Sequence, residues 1–154
     1  MEKIIRNVSE QDMEFLIKMY LNDVENNQER AVQFSKDLIY RFNTIICISG
    51  EEILGCITWD TRGGLNDGVV EIVTLGINPK FQRQGIAREL LLKLISQAKI
   101  YFSEARYKLR VLYLFMERNN KVARKFYEFM GFREISLIPA FYPHDDATIW
   151  IKYF

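Results

Sequence analysis

The stretch NPKFQRQGIAREL, Asn78 to Leu90, is where the reading of this fold begins. It follows the apolar run VVEIVTLGI, Val69 to Ile77, whose β-branched residues predict a largely buried strand. After it, Ile86, Leu90, Leu91, Leu94, Ala98 and Tyr101 recur at helical spacing, so Gly85 stands where a strand gives way to an amphipathic helix. The first turn of a helix leaves about four N–H groups unpaired and carries a charge of roughly +0.5, which makes it an anion site by construction. Gly85 allows a bulky phosphate to approach the backbone, Ala87 keeps the turn narrow, and Arg83 and Arg88 add charge. A pyrophosphate is the expected ligand. The same glycine also suits a tight strand-to-helix turn with no ligand, and neither GxxxxGK[ST] nor GxGxxG fits the stretch.

Working outward, Lys3 to Asn7 predicts a short strand. Ser9 and Asp12 form a capping signal ahead of a helix with Met13, Leu16, Ile17 and Tyr20 on its apolar face. Past the polar break Asn22 to Gln28, a second helix carries Ala31, Phe34, Leu38 and Phe42. Strands Thr44 to Ile48 and Ile53 to Asp60 flank SGEE and predict a hairpin, followed by the glycine-rich loop TRGGLNDG. Beyond the central helix come a strand at Leu109 to Met116 and a helix from about Asn120. That helix carries Ala123, Phe126, Tyr127 and Met130 on one face and Gly131 as a left-handed cap. Strands near Phe132 to Ile138 and Ala147 to Tyr153 close the chain. The order β-α-α-β-β-β-α-β-α-β-β predicts an α/β (α+β) fold, a mixed sheet with helices on both faces.

The 154 residues match one ordinary domain, and 49% apolar with 27% charged residues are values of a globular protein. With 21 Lys and Arg against 20 Asp and Glu the formal charge is +1, which excludes an overall basic field for nucleic acid. The apolar runs are too short for a bilayer span, and acidic residues follow the first few positions, so a cytoplasmic protein that binds neither membrane nor nucleic acid is expected. Cys47 and Cys56 lie in strand-like runs without CxxC, and are expected to be buried free thiols rather than zinc ligands; no metal site is expected.

Gln82-Arg83-Gln84-Gly85-Ile86-Ala87 fits the Q/R-x-x-G-x-G/A signature of the GNAT family, the GCN5-related N-acetyltransferases, and Leu75-x-Ile77-x-Pro79 resembles the strand end that precedes it. Further on, Asn120-x-x-Ala123-x-x-Phe126-Tyr127 with Gly131-Phe132 is similar to the family's second motif. The element order is also the family's, so the resemblance covers nearly the whole chain and is nearest to the ribosomal-protein and N-terminal acetyltransferase branch. It implies a single acetyltransferase domain over residues 1–154, with a mostly antiparallel sheet of six to seven strands. It implies acetyl-CoA as cosubstrate: the amides of Gln82, Arg83, Gln84, Gly85, Ile86 and Ala87 with Arg88 on the pyrophosphate, Leu75, Gly76 and Ile77 along the pantetheine arm, and Asn120, Ala123 and Tyr127 completing the cofactor set.

Acetyl transfer to an amine needs a neutral nucleophile, a polarised carbonyl and a protonated leaving thiolate. The resemblance places Tyr127 as the acid; from periodicity alone it is a core residue. Two carboxylates are candidates for the base. Glu71 lies in an apolar strand and resembles the catalytic glutamate of the histone-acetylating branch, while a simply solvated glutamate is the alternative. Glu117 ends the next strand, but the ribosomal-protein branch has its glutamate two positions earlier, where this chain carries Phe115. At neutral pH, deprotonation costs about 4.6 kcal/mol for a lysine amine of pKa ~10.4 and about 1.1 kcal/mol for an α-amine near ~7.8. An N-terminus therefore needs only a water-relayed base.

The segment AFYPHDDATIW, Ala140 to Trp150, resembles the aromatic loop of N-terminal acetyltransferases, and only Tyr142 is carried over as an acceptor contact. His144 is the single histidine, open to a base role or to solvation in a loop; Asp145 and Asp146 first suggest turn residues. Direct transfer to a protein or peptide N-terminus is the expected activity. Small amines, polyamines or amino acids are the alternative acceptors, because Asn22 to Asn27 is acidic and polar. A coenzyme A-binding regulatory module without turnover is the alternative of another class. Monomer and homodimer fit the sequence equally.

Overall fold

The computed structural model describes residues 2–154. A single seven-stranded sheet runs in the order β1-β2-β3-β4-β5-β7-β6: β1 Ile4–Asn7, β2 Asn43–Ser49, β3 Glu52–Arg62, β4 Val69–Ile77, β5 Val111–Glu117, β6 Arg133–Tyr142 and β7 Asp145–Tyr153. Four helices, α1 Met13–Asp23, α2 Gln28–Lys36, α3 Ile86–Glu104 and α4 Lys121–Phe129, fall between them in the expected order. The β1-β2, β2-β3, β5-β7 and β6-β7 ladders are antiparallel, and β4-β5 is parallel.

The chain divides into two compact units: Met1–Asp60 with Val73–Gln97, and Thr61–Ile72 with Ala98–Phe154. In the first, β2 and β3 are buried along almost their whole length, from Thr44 to Cys47 and from Ile53 to Trp59. Such runs read as continuous apolar stretches because both faces of the strand are covered. Leu16 of α1 packs with Leu38 and Ile53 in the core. The capping signal forms as expected, with Ser9 N–H donating to Asp12 at 2.8 Å, but Asp12 has a second partner that the sequence does not announce. Both its oxygens accept from the Arg6 guanidinium at 2.8 Å. That fork, ahead of the opposing effect of burial, holds the Asp12 carboxyl below the usual carboxylate range.

The second predicted helix ends differently from its pattern. After α2 the chain widens into a π-helical turn, Asp37–Arg41, closed by Phe42 N–H donating to Asp37 O at 3.0 Å. Leu38 stays inward through this turn, at 3% exposure. The predicted Tyr101 on the central helix is replaced in the core by its neighbour Phe102, which continues the four-residue step from Leu94 and Ala98, while Tyr101 is exposed. Cys47 and Cys56 are buried free thiols, and burial pushes the Cys56 thiol up to about 11.

In the second unit, Leu112, Leu114 and Met116 turn one face of β5 into the core and leave Val111, Tyr113, Phe115 and Glu117 half-buried on the other. β6 and β7 run further toward each other than the sequence suggests, so Ala140 to Tyr142 are strand and only Pro143 and His144 turn. Gly131, at φ 88°, caps α4 in the left-handed conformation as expected.

Candidate active site

β4 brings the chain to the predicted anion loop. Its expected burial is corrected by the structure: Val70 and Ile72 are inside, but Thr74 and Gly76 are exposed and Leu75 and Ile77 half-buried. The ladder with β5 runs over only Val69↔Val111, Val70↔Leu112 and Glu71↔Tyr113. Within the first unit β4 lies close to β3: a Cβ built on Gly55 would stand 2.7 Å from Ile77 Cδ1 and 3.0 Å from Gly76 O. A side chain at 55 would push the end of β4 aside.

Asn78 then turns the chain. Its N–H donates to Leu54 O at 2.8 Å, and its side-chain oxygen accepts from Lys80 N–H at 3.0 Å, starting the 3-10 turn Pro79–Phe81. From Gln82 to Gly85 the backbone is exposed and twice left-handed, at Arg83 (φ 62°) and Gly85 (φ 80°). Alternation of this kind turns successive amides toward one side, the geometry of an anion nest. Among the described residues, the N–H groups of Gly85, Ile86, Ala87 and Arg88 have no protein acceptor; the first helical bond is Glu89 N–H to Gly85 O, 3.1 Å. Arg83 and Arg88 are exposed and form no ion pair among the described residues, whereas Glu89 is paired with Lys3 at 3.5 Å. Space is not what demands glycine at 85, since a Cβ there meets nothing within 4 Å; the positive φ does. Four open amides beside two unpaired guanidinium groups fit a pyrophosphate.

In the second unit, Asn120 caps α4 by accepting from Ala123 N–H at 3.1 Å, which accounts for both motif positions structurally. Tyr127 is 4% exposed, with its ring edge-on to Phe126 (5.0 Å) and Phe132 (5.2 Å). It is therefore the core residue that periodicity suggests. Its hydroxyl makes no hydrogen bond among the described residues, and burial raises its pKa, so the phenol keeps its proton.

The two candidate bases have different surroundings. Glu71, in register with Tyr113 on the half-buried face, is committed to an ion pair with Arg62 at the end of β3, a counter-ion that no local pattern announces. Glu117 Oε1 lies 2.9 Å from His144 Nε2. His144 is an exposed residue of the β6-β7 turn, as its loop setting suggests, and it also has a partner there, with its ring 6.4 Å from that of Tyr142 at an interplanar angle of 24°. Tyr142 is half-buried, and burial raises its pKa, followed by the nearby Glu117 charge.

A bulge shapes this hairpin. The β6-β7 register shifts between Ile138 and Tyr142, and Ala140 is left-handed at φ 53°. Asp146 holds the bulge, accepting from Ala140 N–H at 2.8 Å and pairing with Arg118 at 3.3 Å, while Asp145 accepts from Asn119 N–H at 2.8 Å. These carboxylates act as turn residues, as the sequence first suggests. The bulge re-aims Phe141 so that its ring stacks on Phe115 at 5.7 Å and 12°. Tyr113, Phe115 and Glu117 of β5 and Phe141, Tyr142 and His144 of the hairpin thus form an aromatic surface with one carboxylate–imidazole pair.

Among the described residues no group of three or more His, Cys, Asp or Glu side chains is arranged to hold a metal ion, and no helix is long and apolar enough to cross a membrane.

Comparison with known proteins points to one family. The family model described as "Acetyltransferase (GNAT) family" matches residues 11–132. A [ribosomal protein bS18]-alanine N-acetyltransferase of Haemophilus ducreyi is 34% identical over 77 residues, a match that spans 50% of this chain and 49% of that relative. Two solved structures share the fold. The ribosomal-protein-S18-alanine N-acetyltransferase of Escherichia coli superposes with a TM-score of 0.76 at 18% identity, over 99% of this chain and 94% of that one. Arabidopsis thaliana NAA60 in complex with acetyl-CoA superposes with a TM-score of 0.75 at 20% identity, over 99% of each chain.

Proposed function

The chain belongs to the acetyltransferase (GNAT) family, and on that premise we propose that it moves an acetyl group from acetyl-CoA to a primary amine by direct attack, with a peptide or protein N-terminus as acceptor. The observation that carries the reading is the loop of four unpaired amides, Gly85 to Arg88, flanked by the unpaired Arg83 and Arg88. Acetyl-CoA supplies the activated thioester. This chain's own residues hold and polarise it. Gln82 to Arg88 bind the pyrophosphate, and the backbone of Leu75, Gly76 and Ile77, beyond the short β4-β5 ladder, keeps the pantetheine arm in strand-like register. An N–H of that segment polarises the thioester carbonyl, because a fixed amide needs little reorganisation as charge develops.

Tyr127 serves the leaving group. Burial keeps its phenol protonated, so it offers a hydrogen bond to sulfur as the C–S bond breaks. The raised pKa also opposes full release of the proton, so transfer belongs to the moment when negative charge forms on sulfur. A protonated hydroxyl with no protein partner among the described residues favours turnover over a purely coenzyme-binding role.

Support for an N-terminal acceptor comes from the aromatic surface of β5 and the β6-β7 hairpin, which presents Phe115, Phe141 and Tyr142 to an arriving chain. The Haemophilus ducreyi relative is named as a [ribosomal protein bS18]-alanine N-acetyltransferase, and we take an alanine-initiated peptide as the first acceptor to test. The low cost of deprotonating an α-amine agrees with a site whose bases are exposed side chains. A thiol-release assay with acetyl-CoA and separate panels of peptides, polyamines and amino acids tests the proposal. Faster release with peptides supports it; release only with a polyamine moves the acceptor class; coenzyme A binding without amine-dependent release refutes the enzyme.

A further inference from the structure

We propose that His144 takes the proton from the attacking amine, with Glu117 as the positioning residue that fixes its ring; the inference rests on the acetyltransferase reading above. It goes beyond that reading because the base is assigned to a turn between two strands rather than to a carboxylate on β4 or β5.

The geometry comes first. His144 Nε2 lies 2.9 Å from Glu117 Oε1. A carboxylate can only accept, so this bond places the imidazole N–H on Nε2 and leaves the lone pair of the neutral ring on Nδ1. A carboxylate that selects a histidine tautomer and holds the ring is the arrangement by which an imidazole is readied to accept a proton. The turn that carries His144 is itself held. Asp145 ties it to Asn119 just beyond β5, Asp146 bonds Ala140 N–H and Arg118, and the His144 ring stacks on Tyr142. The imidazole is therefore positioned by contacts on β5, β6 and β7, although it is one residue of a two-residue turn.

Accessibility and competition both favour it. The side chains of His144 and Glu117 are 66% and 44% exposed, so an incoming amine can reach them. Asp145 and Asp146 are occupied with the backbone of the hairpin, and Glu71 is committed to Arg62. Phe115, stacked on Phe141, leaves Glu117 as the acidic side chain on the half-buried face of β5.

The step balances as follows. The amine nitrogen lone pair forms the C–N bond with the thioester carbonyl carbon, and its excess proton passes to His144 Nδ1. As the C–S bond breaks, its electron pair goes to sulfur, which receives the Tyr127 hydroxyl proton. Water then returns a proton to Tyr127 and removes one from His144.

Steady-state kinetics with the amine that the wild type turns over fastest, together with calorimetric titration of coenzyme A, test the assignment. His144→Gln is expected to lower kcat about 100-fold, within the range of general-base contributions, with coenzyme A affinity unchanged. His144→Ala is expected to regain activity when imidazole is added to the buffer, under conditions that leave the wild type unaffected. Glu117→Gln should lose less than His144→Gln, because the imidazole remains. Wild-type kcat in His144→Gln, a loss confined to KM, or failure of imidazole to rescue His144→Ala overturns the assignment while leaving the acetyltransferase reading intact. Absence of amine-dependent turnover in the wild type overturns both. The exposed turn position makes folding of the variants straightforward to verify by thermal melting.

Discussion

Replacing Gly85 with valine separates the two reasons a glycine stands there. Gly85 has φ 80°, and a Cβ would meet no protein atom within 4 Å. The cost to the free protein is therefore conformational, about 1–2 kcal/mol for a non-glycine residue held left-handed. At the ~2–4 °C per kcal/mol typical of a chain this long, the melting temperature falls by about 2–8 °C and the fold survives. The cost to coenzyme A binding is larger. The branched side chain stands at the mouth of the unpaired amides of Gly85 to Arg88, where it keeps phosphate oxygens away. A hydrogen bond to a charged group contributes about 1.5–3 kcal/mol, so loss of two weakens binding by about 100-fold or more. Calorimetric titration with coenzyme A and a melting curve on the same sample measure both. Valine that binds coenzyme A within about threefold of the wild type would refute the loop as the pyrophosphate site. A collapsed fold would show that the glycine is structural.

Further expectations follow from other contacts. Tyr127→Phe should lower kcat at least tenfold while leaving coenzyme A affinity within about twofold, as titration and thiol release will show; equal activity removes Tyr127 as the acid. Asp12→Asn should cost about 2–3 kcal/mol in chemical denaturation at neutral pH, since the Arg6 fork is lost but Arg6 itself is partly exposed. Because the folded Asp12 carboxyl is held below its unfolded value of ~3.9, its contribution is complete above that pH and drains away as pH falls below it; wild-type stability should drop there and the variant's much less. The Cys56 thiol, buried and pushed up to about 11, should resist an aromatic disulfide reagent at pH 8 until the protein is denatured. Asp146→Ala removes the acceptor for Ala140 N–H at a left-handed residue and should lower stability by about 1–2 kcal/mol, measurable by denaturant titration.

Local pattern carried much of the fold. Helical spacing, Gly85, the Ser9 cap and the Gly131 cap are encoded within a few residues, and all the strands and helices appear in the expected order. What the sequence hid is side-chain pairing that no periodic spacing announces. Glu117 and His144 lie 27 residues apart, and neither carries a local signal that the other is its neighbour. The Arg62 counter-ion of Glu71 and the Arg6 fork on Asp12 lie nearer in sequence, but each joins a strand residue to a turn or neighbouring-strand residue outside any helical or strand repeat. The exposed end of β4 is not legible because a run dominated by β-branched and apolar residues looks alike whether or not a neighbouring strand continues beside it; the ladder with β5 stops after three pairs. The bulge at Ala140 was illegible for another reason: alanine is the least informative residue for a left-handed conformation, and Asp146 rather than residue type stabilises it. The anion loop of the first unit is legible because hydrogen-bond supply at a helix start is local, whereas the Glu117–His144 contact of the second is not.

The account stands most directly on the fate of the acetyl group. Purified protein with acetyl-CoA and an alanine-initiated peptide, followed by mass spectrometry and thiol titration in the same reaction, should give one N-terminally acetylated peptide for each thiol released. Thiol released without acetylated peptide, or a peptide acetylated only at lysine, would contradict the assignment of the amine.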